Sequence, residues 1–271
     1  MGTLYDERRD RYLARVGPLA EARVRRLQRG QKHPVHDFLF DYYPFKPSHL
    51  LKWSPGAWAD GPSDWPPCDV AGFVAKRGDY LRWCVDYLRR TGDREPLFGC
   101  FGRHEWAMVY RATEVRHPRP LRLSPADTDA VSAGGVACTH FDAFRFFTPD
   151  ARPLNRLELR RADSATHDQP GCAHVTMDLY KWAYKLVPLI SSELVADAFE
   201  LAVAARELDM RASPYDLREL GYEPVRIETR AGREEYVAAQ RELTRRAGPV
   251  RADLLAVYER LVGHAWGAVG G

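Results

Sequence analysis

The sequence predicts a mainly α protein, a single helical domain over residues 1–271 with a small antiparallel β-sheet or hairpin. Three observations lead there. Apolar residues recur at three- and four-residue spacing along most of the chain, the period of a helix with one buried face. One passage, "VACTHFDAFRFF", alternates with period two instead, which is strand spacing. No segment reads as a linker between domains. With 271 residues, 45% hydrophobic and 28% charged, the chain has the length and composition of a globular protein with a sizeable core.

Taken in order, residues 4–29 place Tyr12, Val16, Leu19, Val24 and Leu27 at helical spacing, with Pro18 restarting the helix after Gly17. "HPVHDFLFDYYPF" follows, with Val35, Phe38, Leu39, Tyr42 and Tyr43 on one face and His36 and Asp37 toward the other. Pro44 closes it. Residues 54–69 form a loop rich in Pro, Gly and Trp, a candidate lid or cleft edge. A helix is expected over about 80–90, closed by Gly92, and another over 98–112. In residues 138–147, His140, Asp142, Phe144 and Phe146 share one strand face; "TPDARP" turns into a partner strand, "LNRLELRR". Helical spacing returns from Ala173 to Leu186 and again at about 192–209, 233–246 and 250–262, with a short strand-like "PVRIET" at 224–229.

No run of about 18 apolar residues exists to span a membrane. The charged, amphipathic N-terminus has no apolar signal core, so a cytoplasmic protein is expected. The five cysteines are scattered without a CxxC pair, which argues for free thiols over a disulfide framework or zinc ribbon. Only six of the 40 basic residues are lysine, and the net charge is +3. Arginine suits phosphate recognition, but so small an excess does not by itself identify a nucleic-acid partner.

The chemistry concentrates in four His–carboxylate clusters: His33, His36 and Asp37; His104 beside Glu105; His140 and Asp142; and His174 and Asp178, four apart on a helix face that continues to Lys181, Trp182 and Lys185. A buried carboxylate or imidazole must be paired, shift its pKa or hold something. Any one of these histidines reads equally as a hydrogen-bonded core residue. Their recurrence beside aromatics predicts that His104, His140 and His174 meet at one site.

Two chemistries fit such a site. In the first, His104, His140 and His174 with a carboxylate hold Fe, Mn or Zn, and a haem with a single histidine ligand fits as well. His140-x-Asp142 followed by His174 has the order of a two-His-one-carboxylate set. The strands of an oxygenase barrel are missing, however, and Glu-x-x-His, the helix-bundle di-iron pattern, does not occur. This would be an enzyme acting on a small molecule. In the second, Glu105, Asp142 or Asp178 activates water or stabilises an oxocarbenium-like sugar, while Trp106, Tyr110, Tyr180 and Trp182, with Lys181, bind an extruded base. A non-catalytic binding protein with an aromatic cleft is the third reading.

The blocks "HPVHDFLFDYYPF", "FGRHEWAMVYR", "CTHFDAFRFF", "CAHVTMDLYKWAYKL" and "LDMRASPYDLRELGYEPVRIET" resemble those of a bacterial family labelled 3-methyladenine DNA glycosylase, from about Lys32 to Gln240. The resemblance implies hydrolysis of the N-glycosidic bond of alkylated adenine, DNA as partner and no cofactor. The chain departs from better-known glycosylases in two ways: it has neither a Leu-Pro-Gly hairpin followed by an Asp nor a zinc-binding Cys/His pattern. Beyond the blocks, Arg241, Arg245, Arg246 and Arg251 on amphipathic helices offer either phosphate contacts or a solvated charged face.

Overall fold

Eleven α-helices carry nearly all the regular structure of the computed structural model, which describes residues 4–59, 67–113, 115 and 118–267. They are α1 (Leu4–Gln28), α2 (Phe38–Asp41), α3 (Pro47–Leu50), α4 (Val70–Asp93), α5 (Arg103–Ala107), α6 (Pro125–Ala133), α7 (Phe141–Phe144), α8 (Ser164–His167), α9 (Ala173–Tyr184), α10 (Ser192–Arg211) and α11 (Arg230–Gly267). The mainly α expectation holds. The expected sheet does not form: among the described residues only two isolated bridges occur, Leu121 with Tyr215 and Val136 with Asn155. No helix among them is long and apolar enough to cross a membrane.

The chain divides into two compact units. The first comprises Met1–Arg89, Met177–Val203 and Ala247–Gly271, and the second Arg90–Thr176 and Ala204–Arg246.

In the first unit, α1 runs unbroken through Pro18. Its buried stripe Tyr12, Val16 and Ala20 continues on both sides of the proline, so packing keeps the register that one missing N–H would weaken. Arg15 ties the same helix to Asp197 and Glu200 of α10. The start of the predicted lid is pinned rather than free: Ser54 and Ser192 exchange hydrogen bonds of 2.8 and 2.9 Å. Gly56 has φ +90°, and a Cβ there would stand 2.9 Å from the Ser191 nitrogen, so the close approach requires glycine. Residues 60–66 of that loop lie outside the described residues.

In the second unit, the alternating stretch around His140 bends into α7 instead of extending as a strand. The His140 carbonyl accepts from the Ala143 and Phe144 amides at 3.2 and 3.0 Å. Asn155 supplies the reason that pairing goes no further. Its side chain accepts from the Cys138 N–H at 2.8 Å and donates to the Cys138 carbonyl at 3.0 Å, occupying the groups a neighbouring strand would use. The phenylalanines turn inward regardless, and Phe144 and Phe147 join Ala107, Tyr110, Val136 and Leu159 in one core cluster.

Candidate functional site

The passage that places His104 beside Glu105 folds as α5, a helix of only five residues, rather than the longer helix its apolar spacing suggests. Phe101 and Gly102 precede it with φ of 52° and 73°. Gly102 answers two demands at once: its left-handed backbone, and a Cβ position only 3.2 Å from that of Ala212 and 3.3 Å from the Tyr236 ring. This tight entry drives His104, Glu105, Trp106 and Ala107 all into the interior.

Each ionisable group there has a partner within the second unit. His104 Nε2 lies 2.7 Å from Asp209 Oδ1, and its Nδ1 lies 3.4 Å from Cys100 Sγ. Arg206 Nη1 donates at 3.0 Å to Glu105 Oε1 and at 3.0 Å to Asp209 Oδ2. The His174 ring meets the His104 ring edge-on, with centroids 4.5 Å apart, and stacks against His140 at 5.3 Å. His140 Nδ1 lies 3.1 Å from Asp168 Oδ1. The structure thus brings His104, His140 and His174 together in a fully buried cluster.

Electrostatics divide the three imidazoles. Burial, reinforced by the charge of His104, pulls the His174 pKa well below its usual value. Burial acts the same way on His104, but the Asp209 carboxylate, through its charge and hydrogen bond, overcomes it and raises that pKa well above normal. Asp209 is held below the ordinary carboxylate range: burial opposes this, and the charge and hydrogen bond of His104 outweigh it. A hydrogen bond from Cys138 lowers the Cys100 thiol pKa, and that of Cys138 rises in consequence.

Several expected site residues lie elsewhere. Asp142 sits on α7, where its carboxylate pairs with Arg145 and Arg161 at 3.1 and 3.0 Å. Trp106 is fully buried and donates its indole N–H to the Ala212 carbonyl at 2.8 Å, and Tyr110 belongs to the core cluster. Neither ring is open to a base.

Asp178, Tyr180, Lys181 and Trp182 belong to the first unit, while His174 belongs to the second, although all five lie on α9. Asp178 accepts from the Tyr43 hydroxyl at 2.9 Å and pairs with Lys181. Tyr180 packs against Tyr43, Phe45 and Tyr184. The Lys181 ammonium lies 4.4 Å from the Trp182 ring centroid. The N-terminal cluster also resolves as packing: Asp37 is buried between Arg23 and Arg26 and accepts from the His33 N–H at 2.8 Å.

No protein-family model, curated protein or solved structure matches this chain.

The groups that complete the cluster were not singled out in the sequence. Asp168, Arg206 and Asp209 are buried, and Cys100 is partly so. One signal existed for two of them. Arg206 and Asp209 stand three apart in the apolar run "LAVAARELDM", a spacing that puts two charges on one face of a buried helix. Nothing in the sequence around Asp168 distinguishes it from a loop aspartate.

Proposed function

We propose that the chain is a metal-dependent enzyme acting on a small molecule, with a divalent transition metal held by His104, His174 and Asp209. The observation that carries this reading is that one donor atom from each of the three lies within 4.8 Å of the others, in the interior. Two imidazole nitrogens and a carboxylate oxygen suit Zn²⁺ or Fe²⁺. His174 Nδ1 is buried without a hydrogen-bond partner.

The surroundings support the same reading. Three carboxylates of the cluster are buried: Glu105 and Asp209 accept from the buried Arg206 guanidinium, and Asp168 lies beside His140. A divalent cation balances that excess of carboxylates; without one, protonated imidazoles do. Cys100 Sγ lies 3.4 Å from His104 Nδ1 and orients that ring from outside, as groups behind metal ligands do. The close packing of the three rings favours a bare ion over haem, and complete burial favours a small substrate over duplex DNA. Glycosidic hydrolysis, implied by the resemblance, gains less support, since Glu105 and Asp178 are both engaged in ion pairs.

Elemental analysis and a visible spectrum of the purified protein test the proposal. Roughly one equivalent of zinc or iron per chain is expected, lost in His174→Ala and in Asp209→Asn. Metal-free protein that takes up neither ion on addition would defeat it.

A further inference from the structure

We propose that the groove lined by Arg103, Ala130, Val131, Ile227 and Arg233 binds a small organic phosphate, a phosphomonoester carried on an apolar body. The groove encloses about 430 Å³ and belongs entirely to the second unit. It does not rest on the metal reading, since none of His104, His174 and Asp209 lines it.

Its two guanidiniums are held in place without being neutralised. Arg103 Nη1 donates to the Gly135 carbonyl at 2.9 Å, and Arg233 Nη1 donates to the carbonyls of Ile227 and Glu228 at 3.0 and 3.3 Å. Among the described residues neither forms an ion pair with a carboxylate. The Arg103 Nε is buried and has no hydrogen-bond partner, so the donors of this guanidinium are not all satisfied within the protein. An anion in the groove meets two guanidiniums that no carboxylate neutralises.

The two carboxylates of the lining are already engaged. Arg122 clamps Glu228 with bonds of 2.9 and 3.2 Å, and Asp127 accepts from the Ser124 hydroxyl at 2.7 Å. The rest of the wall is apolar, with Leu123, Ala130, Val131 and Ile227, which suits a hydrocarbon or ring behind the phosphate. The approach to Arg103 is also strained. Phe101, over whose ring the Arg103 guanidinium lies at 5.6 Å, has φ +52°. A bulky residue held there is a feature that ligand clamps share.

Phenyl phosphate is the probe, titrated by calorimetry and by ³¹P NMR into the full chain. Saturable binding with a Kd of about 1 mM or tighter is expected. It should weaken by at least roughly 10-fold in Arg103→Gln and in Arg233→Gln. Ala130→Glu, at an exposed position of α6, leaves both arginines in place and should abolish binding without disturbing the fold. Arg245→Gln, which removes a surface arginine paired with Glu242, should bind as wild type. Phenol should not bind, which separates the phosphate from its apolar body, and inorganic phosphate should bind more weakly than phenyl phosphate. Absence of saturation, or wild-type affinity in Ala130→Glu and both arginine variants, would overturn the assignment.

Discussion

His104 and Asp209 stand 105 residues apart in the chain and meet through a buried 2.7 Å contact between Nε2 and Oδ1. The same carboxylate takes a hydrogen bond from Arg206 on its other oxygen, and Arg206 in turn holds Glu105. A buried ion network of this kind is kept by completeness rather than by the strength of any pair, because each charge has lost its water.

Arg206 is therefore the member whose removal costs most. Arg206→Met leaves Glu105 and Asp209 as buried carboxylates without a guanidinium. Chemical denaturation should show a loss of about 3–5 kcal/mol. Adding Glu105→Gln should restore part of it, since one of the stranded charges is then gone. A double variant no more stable than Arg206→Met would mean that the two side chains are not coupled.

Metal removal gives an independent reading of the same centre. An ion that binds only the folded chain adds RT ln(1 + [L]/Kd) to stability. Chelation of the wild-type protein should lower the midpoint of thermal unfolding by roughly 5–15 °C. His174→Phe, which fills the space but offers no donor, should unfold at the same temperature with and without chelator. An equal chelator effect on both proteins would place any bound ion elsewhere.

The helices were the legible part of the fold, and their stops were not. Buried Tyr236, Gln240, Leu243, Ala247, Arg251, Leu254, Tyr258 and Leu261 keep a three- and four-residue rhythm across Gly248 and Pro249. This stripe carries α11 through the position where local propensity ends a helix. At 138–147 the opposite occurred: strand spacing was real, but the Asn155 amide occupied the backbone groups and α7 formed. The site was half legible for a related reason. Three histidines announced themselves by their apolar flanks, whereas their carboxylate partners come from distant segments. His140 meets Asp168, 28 residues on, and such pairings are decided by packing that no local pattern records.

The N-terminal cluster makes a prediction about acid. Burial alone would raise the Asp37 pKa, but hydrogen bonds from Arg26 and the His33 N–H, with the charge of Arg23, hold it below the usual carboxylate range. A carboxyl with a depressed folded pKa contributes stability that is fully present above its unfolded value and is lost as pH falls through the folded one. Unfolding measured from pH 6 downward should steepen below about pH 4 for wild type. In Asp37→Asn that part of the acid limb should be flatter, and the variant should be less stable at neutral pH. Parallel acid limbs would remove Asp37 from the account.

Glu105→Gln separates the metal reading from glycosidic hydrolysis. The Glu105 contact with Arg206 is one a glutamine carbonyl oxygen also accepts, so the substitution keeps the guanidinium in place while removing a charge. If His104, His174 and Asp209 hold the ion, Glu105→Gln should retain roughly the wild-type metal content, because none of the three donors has changed. If Glu105 instead activates water against an N-glycosidic bond, wild-type protein releases base from alkylated duplex and Glu105→Gln loses that release by about 10²-fold or more. The expected result is retained metal in the variant and no base release from either protein. Base release by wild type that disappears in Glu105→Gln, with no metal in either, would transfer the function to the carboxylate and leave the three imidazoles as core.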